Sequence, residues 1–248
     1  MKIRPLLVLT TTLVTLFAPV AALNAQAIYY TSGHGDIGAA YDDINQEFEP
    51  HWHLHSGAIV GGVALDEDSE YGPGDLVAST SATRTSPNGL SNILGVADGT
   101  LIYAAGSSAY QPNLGFGVEE LVFEDWDGPI TLTLSGWDLP SGTEFALYTT
   151  NLAGTTVVDR IFSTFAPGAT DFSNSFEMTP GDHVHFQWAF TDPGTYTFDL
   201  TWTGTHVADG AISTTESFSV QVVPEPSTAA LVGLSALAVM ALRRRRLS

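Results

Sequence analysis

The sequence contains no cysteine. That absence excludes thiolate-bound zinc, thiol catalysis and disulfide crosslinks, so a folded domain built from it must be held by its hydrophobic core. Basic residues are nearly as scarce. Lys2 is the sole lysine, and of the arginines only Arg84 and Arg160 fall between Ile28 and Val222. All of the 27 acidic residues except Glu225 lie in that stretch. Two arginines there face 26 carboxylates, a net charge of −24 against −19 for the whole chain. A field of that sign repels nucleic acid and attracts cations; its plainest use is solubility outside the cell. Also missing are a long amphipathic helical pattern, a G-x-S-x-G turn, a P-loop and a dinucleotide fingerprint. No organic cofactor and no nucleic-acid partner is therefore implied.

Long apolar runs occur only at the two ends. Lys2 and Arg4 precede an apolar stretch from Pro5 to Leu23, followed by Ala25-Gln26-Ala27. The order basic, apolar, small-x-small is that of a signal peptide cut by signal peptidase after Ala27; an uncleaved anchor is the alternative. Residues 1–27 are thus expected to be removed, leaving a domain over 28–222. At the other end, Pro224-Glu225-Pro226 is followed by an apolar segment from Ser227 to Leu242 and then Arg243, Arg244, Arg245 and Arg246. That segment is shorter than the ~20 residues of a comfortable span, and the arginines would stay on the cytoplasmic side. These three parts, within residues 223–248, resemble the PEP-CTERM sorting signal. The resemblance implies recognition by an exosortase, transient anchoring in the membrane through the C-terminal helix, and delivery to the surface or extracellular matrix of a Gram-negative-type bacterium. Exopolysaccharide of that matrix becomes a candidate partner.

Between the ends, short runs of aromatic and β-branched residues alternate with Gly, Pro, Asn, Asp and Ser. Strands are expected at Ala27–Thr31, Trp52–His55, Leu76–Ser79, Leu101–Ala104, Leu121–Glu124, Ile130–Trp137, Glu144–Thr149, Val157–Phe162, Asp171–Glu177, His183–Phe190, Gly194–Thr203 and Glu216–Val222. In Tyr196 to Trp202 every apolar residue falls on one face. Strands at this spacing predict an all-β fold, an antiparallel β-sandwich of immunoglobulin-like or jelly-roll-like type. Asp192-Pro193-Gly194-Thr195-Tyr196 has the pattern of a tyrosine corner. Asp66-Glu67-Asp68-Ser69-Glu70 reads as a solvated loop, since it lacks the spaced acids of a calcium loop.

All seven histidines lie in this domain, and five fall in His51-Trp52-His53-Leu54-His55 and His183-Val184-His185. Residues i, i+2 and i+4 of a strand share a face, so each group would project its imidazoles together. Neutral imidazole is the commonest protein metal ligand, and zinc or copper suits such a set. His34, on an apparent Gly-rich turn, could complete the site; Glu49 and Asp182 could orient ligating rings. His206 stands alone and reads as a surface residue. The competing account is half-buried histidines packed beside aromatics.

The domain also resembles a second family, the choice-of-anchor M domain of bacterial surface-anchored proteins. The resemblance rests on Tyr30-Thr31-Ser32-Gly33-His34-Gly35-Asp36, on His53-Leu54-His55, and on Gly181-Asp182-His183-Val184-His185-Phe186-Gln187-Trp188. It implies a surface module whose relatives often neighbour metal-type ABC transporters, and it points to His34, Asp36, His53, His55, His183 and His185, with His51 as an extra ligand candidate. Three functions follow as expectations: a domain binding a divalent metal, a structural or adhesive module, and a cupin-like metalloenzyme. Against the last, Ser56 to Leu65 lacks the glutamate a cupin places after H-x-H. No catalytic residue is assigned, and the chain reads as non-enzymatic.

Overall fold

The computed structural model describes residues 27–165 and 174–224. Ala25 and the rest of the expected signal peptide before Ala27 lie outside these residues. So do Glu225, Pro226, the expected anchoring helix and Arg243 to Arg246, and the first part of the strand expected over Asp171–Glu177.

The strands among the described residues are, in chain order, β1 (Ile28–Ser32), β2 (His34–Asp42), β3 (Glu47–Leu54), β4 (Ile59–Val60), β5 (Val63–Ala64), β6 (Ser69–Tyr71), β7 (Leu76–Thr80), β8 (Thr83–Thr85), β9 (Leu101–Ala105), β10 (Asn113–Gly117), β11 (Ile130–Asp138), β12 (Phe145–Thr150), β13 (Val157–Ser163), β14 (Ser175–Met178), β15 (His183–His185), β16 (Gln187–Phe190), β17 (Gly194–His206) and β18 (Gly210–Val222). One short helix, Ser91–Leu94, and one 3-10 turn, Phe123–Asp125, interrupt them. Among the described residues no helix is long and apolar enough to cross a membrane.

The strands form a β-sandwich. One layer is an eight-stranded sheet, β14-β11-β17-β18-β7-β1-β4-β5. The other consists of two five-stranded sheets, β15-β10-β2-β3-β6 and β13-β12-β16-β9-β8. Pairing is antiparallel except for β1 with β7, β18 with β7, and β10 with β2. The two smaller sheets share one stretch of chain: β15 passes into β16 with a break at Phe186. Aromatic side chains fill the space between the layers. Trp52 of β3 meets Phe218 of β18 edge-on at 5.2 Å, and Phe145 of β12 lies 4.4 Å from Phe198 of β17. Fully burying one such side chain stabilises the fold by about 1.5–3 kcal/mol, which is how a chain without disulfides holds together.

The β17–β18 hairpin is the longest pairing, in register from Gly194 opposite Val222 to His206 opposite Gly210. Its alternation places Tyr196, Phe198, Leu200 and Trp202 in the core, as the sequence pattern requires. The tyrosine corner is present: the Tyr196 hydroxyl donates to the Asp192 carbonyl at 2.8 Å.

Four local expectations need correction. The strand expected over Leu121–Glu124 is replaced by the 3-10 turn Phe123–Asp125. The segment after Ser32 is a nine-residue strand, not a Gly-rich turn. Only Gly33 turns, at φ +99°, and a Cβ there would stand 2.5 Å from the Ala58 Cα. Asn113–Gly117 is likewise a strand that its two glycines hid. His206 is buried, with Nδ1 2.6 Å from Asp209 Oδ2 and its ring 5.3 Å from that of Trp126.

A candidate metal centre on one face of the middle sheet

In the sheet β15-β10-β2-β3-β6, alternate residues point to opposite faces. Ile37, Trp52, Leu54, Leu114 and Phe116 point inward and are fully buried. The residues between them point away from the core. Register aligns His185, Gly115, Asp36, His53 and Glu70 in one row across the five strands. The next row runs His183, Gly117, Gly38 and His51. Histidine-bearing strands thus flank a strand that shows glycine in both of these rows.

The glycines leave room for the groups on either side. A Cβ at Gly115 would overlap the Asp36 carboxylate and stand 2.8 Å from the His185 ring. Asp36 is therefore covered by imidazoles rather than by backbone or solvent, and its exposure is 0%. Its Oδ2 lies 3.5 Å from Nε2 of His34 and 3.5 Å from Nε2 of His55. Its Oδ1 lies 3.4 Å from Nε2 of His185. Neither oxygen has a hydrogen-bond partner, nor does His55 Nε2. Ligands 2.0–2.1 Å from a tetrahedral ion stand about 3.3–3.4 Å apart, so each of these contacts has roughly the separation of two ligands on one ion. The His34 and His185 Nε2 atoms are closer, 2.8 Å apart.

Carboxylates hold two of these rings from behind. Glu119 Oε1 stands 2.8 Å from His183 Nδ1. Asp68 Oδ2 stands 3.4 Å from His55 Nδ1 and leaves its Nε2 toward Asp36. Carboxylate partners of this kind fix the tautomer and raise the basicity of metal-binding histidines. Four groups of potential ligand atoms lie within 4.8 Å of one another: His34 with His183 and His185, His34 with Asp36 and His55, His53 with His55 and Asp68, and His51 with His53 and Glu120.

Burial sets the electrostatics of the centre. It pushes the Asp36 carboxyl up to about 6, against attraction from His183 and His55. It pulls His185 down to about 4, helped by repulsion from His34, and lowers His34 as well. Without a cation, the site holds a carboxylate that resists ionising among imidazoles that resist protonation. A bound cation favours charged Asp36 and neutral imidazoles at once.

All the histidines singled out in the sequence except His51 converge on this centre or touch a ring that does. The rings of His53 and His55 are 4.9 Å apart, and those of His55 and His34 are 4.2 Å apart. His51 faces the other way along the row, with Nε2 2.9 Å from Glu120 Oε1. Of the two suggested orienting acids, Glu49 acts through its backbone carbonyl, which accepts from His51 Nδ1 at 2.9 Å. Asp182 is exposed, and Glu119 takes the place expected for it. Sequence reading passed over Glu119, Glu120 and Asp68 because acids are abundant in this chain. The usable signal was position: Glu119 continues the outward side of Gly115 and Gly117.

Residues 222–246 match the family model described as the PEP-CTERM protein-sorting motif. Nothing matches the chain among curated proteins or among solved structures. The motif supports export, exosortase processing and association with the cell surface.

Proposed function

We propose that residues 28–222 form a surface domain, of the choice-of-anchor M kind, that captures a divalent transition metal. His34, Asp36, His55 and His185 are the ligands, and His183, steadied by Glu119, stands by as an exchange partner. One observation carries this reading: a fully buried carboxylate with both oxygens unpartnered, faced by three imidazole nitrogens at 3.4–3.5 Å. An ionised carboxylate in such a place costs several kcal/mol unless a cation compensates it. Three imidazoles and one carboxylate suit zinc better than copper, which favours tetragonal sites.

Four protein ligands fill a tetrahedral shell and leave no open position for an activated water. That favours capture over catalysis. The cupin-like alternative also loses support, since the strands make sheets of eight, five and five rather than an eight-stranded barrel. The strongly acidic surface concentrates cations around the site, and the sorting motif places it outside the cytoplasm.

Calorimetric titration of the full-length protein in detergent with Zn²⁺ tests the reading. Binding that the His34→Ala/His185→Ala variant lacks is expected. Equal binding by both proteins would refute the site. A purely structural or adhesive module predicts no saturable zinc binding by either.

A further inference from the structure

We infer that the same face carries a second, separate metal site, built from His51, His53 and Glu120. His51 is the deepest of the histidine rings on this face, at 7% exposure. Its Nδ1 lies 2.9 Å from the Glu49 backbone carbonyl, which can only accept, so Nδ1 carries the proton. In the neutral ring Nε2 is then the lone-pair nitrogen, and it points at Glu120 Oε1 from 2.9 Å. Two lone pairs facing each other at that distance need a positive charge between them. That charge is a proton on the ring or a cation bound by both groups.

His53 decides in favour of the cation. Its Nδ1 lies 3.4 Å from the same Glu120 oxygen, so two imidazole nitrogens converge on one carboxylate oxygen. Without an ion, each contact needs its own proton, one on His51 Nε2 and one on His53 Nδ1. One ion satisfies all three groups. Ligands at 2.0–2.1 Å stand about 2.9 Å apart at right angles and about 3.3–3.4 Å apart in a tetrahedron, close to the two observed separations. The two neighbours at this end of the sheet fit as well. Gly38 presents no side chain on this face, and its Cβ position lies 3.3 Å from His51 Nε2. Glu70 faces His53 across the β3–β6 pairing and adds negative charge.

The site differs from the Asp36 centre in one respect that matters. It has three protein ligands instead of four, and its Glu120 side chain is about one-third exposed. Glu120 also lines a cleft with Tyr41, Asp43, Asp125 and Trp126 that opens to solvent. A fourth position is therefore left for water or for an external donor, and the ion held there is the weaker and faster-exchanging of the two. Stacked His53 and His55 rings join the sites, so the row offers two stations for the same class of ion, a zinc-like divalent cation. The assignment does not depend on the Asp36 centre, because the two ligand sets share no residue.

The test is Zn²⁺ stoichiometry on the full-length protein in detergent, measured by calorimetry for wild type, Glu120→Gln and His34→Ala/His185→Ala. Two equivalents per chain are expected for wild type, with the weaker one lost in Glu120→Gln and the tighter one lost in the double variant. Circular dichroism melting checks that each variant is folded, and Glu120→Gln changes only a partly exposed group. If wild type binds one equivalent and Glu120→Gln still binds it, the His51–Glu120 contact is an ion pair only and the inference falls. If wild type binds one equivalent that Glu120→Gln loses and the double variant keeps, the second site stands and the Asp36 centre falls. Two equivalents that both survive Glu120→Gln also overturn the inference.

Discussion

The two faces of the sheet formed by β15, β10, β2, β3 and β6 are made from alternate residues of the same strands, yet they obey different rules. On the inner face Trp52, Leu54, Ile37 and Phe116 are closely packed against the opposite layer. On the outer face, one residue along, stand histidines, glycines and one buried aspartate. The inner face is satisfied by itself: apolar surface meets apolar surface. The outer face is not, because Asp36 is withdrawn from water without a partner. Packing is what allows this. A rigid inner face holds the strands in register, and the outer groups can then be kept in an arrangement that folding alone would not select.

This contrast can be broken from either side. The largest effect is expected from the inner face: Trp52→Ala should destabilise the domain by about 3–5 kcal/mol. Urea unfolding should show it, with zinc affinity unchanged wherever the protein remains folded. Next comes the outer face itself. Asp36→Asn should weaken zinc binding by roughly 100-fold or more, since it replaces a charged ligand where even supporting residues matter 10–100-fold. Its effect on stability has the opposite sign. The folded-state pKa of Asp36 is raised to about 6, above the unfolded value, so the penalty of its charged form builds as pH rises from the unfolded value to about 6 and is fully present above it. At pH 7 the metal-free variant should therefore melt higher than metal-free wild type in a calorimetric scan. A lower melting temperature would mean that the carboxylate supports the fold rather than straining it.

Smaller effects sharpen the same division. Asp68→Asn should reduce zinc affinity by about 10-fold, because the ligand His55 loses the carboxylate beside its Nδ1; isothermal titration would detect it. Tyr196→Phe removes the hydroxyl that donates to the Asp192 carbonyl and accepts from the Asp192 N–H. It should cost about 1 kcal/mol of stability and leave zinc binding untouched.

Much of this arrangement was legible beforehand, and the failures have physical causes. The all-β class, the strand from Gly194 and the tyrosine corner follow from period-two alternation and from a turn whose residues permit little else. The H-x-H groups were legible for the same reason, since a strand must project i and i+2 to one side. The glycine-bearing strands β2 and β10 were not. Glycine lowers strand propensity when a residue is judged by itself, and its value here is the space it leaves between His185 and Asp36. Glu119, Glu120 and Asp68 were hidden by numbers, because in a chain this acidic no carboxylate stands out until a histidine is seen beside it.

By itself the sequence determined that the chain carries a sorting motif at residues 222–246, that the rest is β-structured and strongly acidic, and that its histidines come in strand-spaced pairs. These are local properties, fixed by composition, order and a two-residue period. Only the tertiary structure decided which pairs meet. The parallel pairing of β10 with β2 puts Asp36 opposite Gly115, and β15 then brings His185 over it. The β2–β3 register sets His53 beside Asp36 while sending His51 toward Glu120. Such contacts join residues as many as 151 positions apart. No local preference encodes them, because they depend on strand order and register, which the buried inner face enforces.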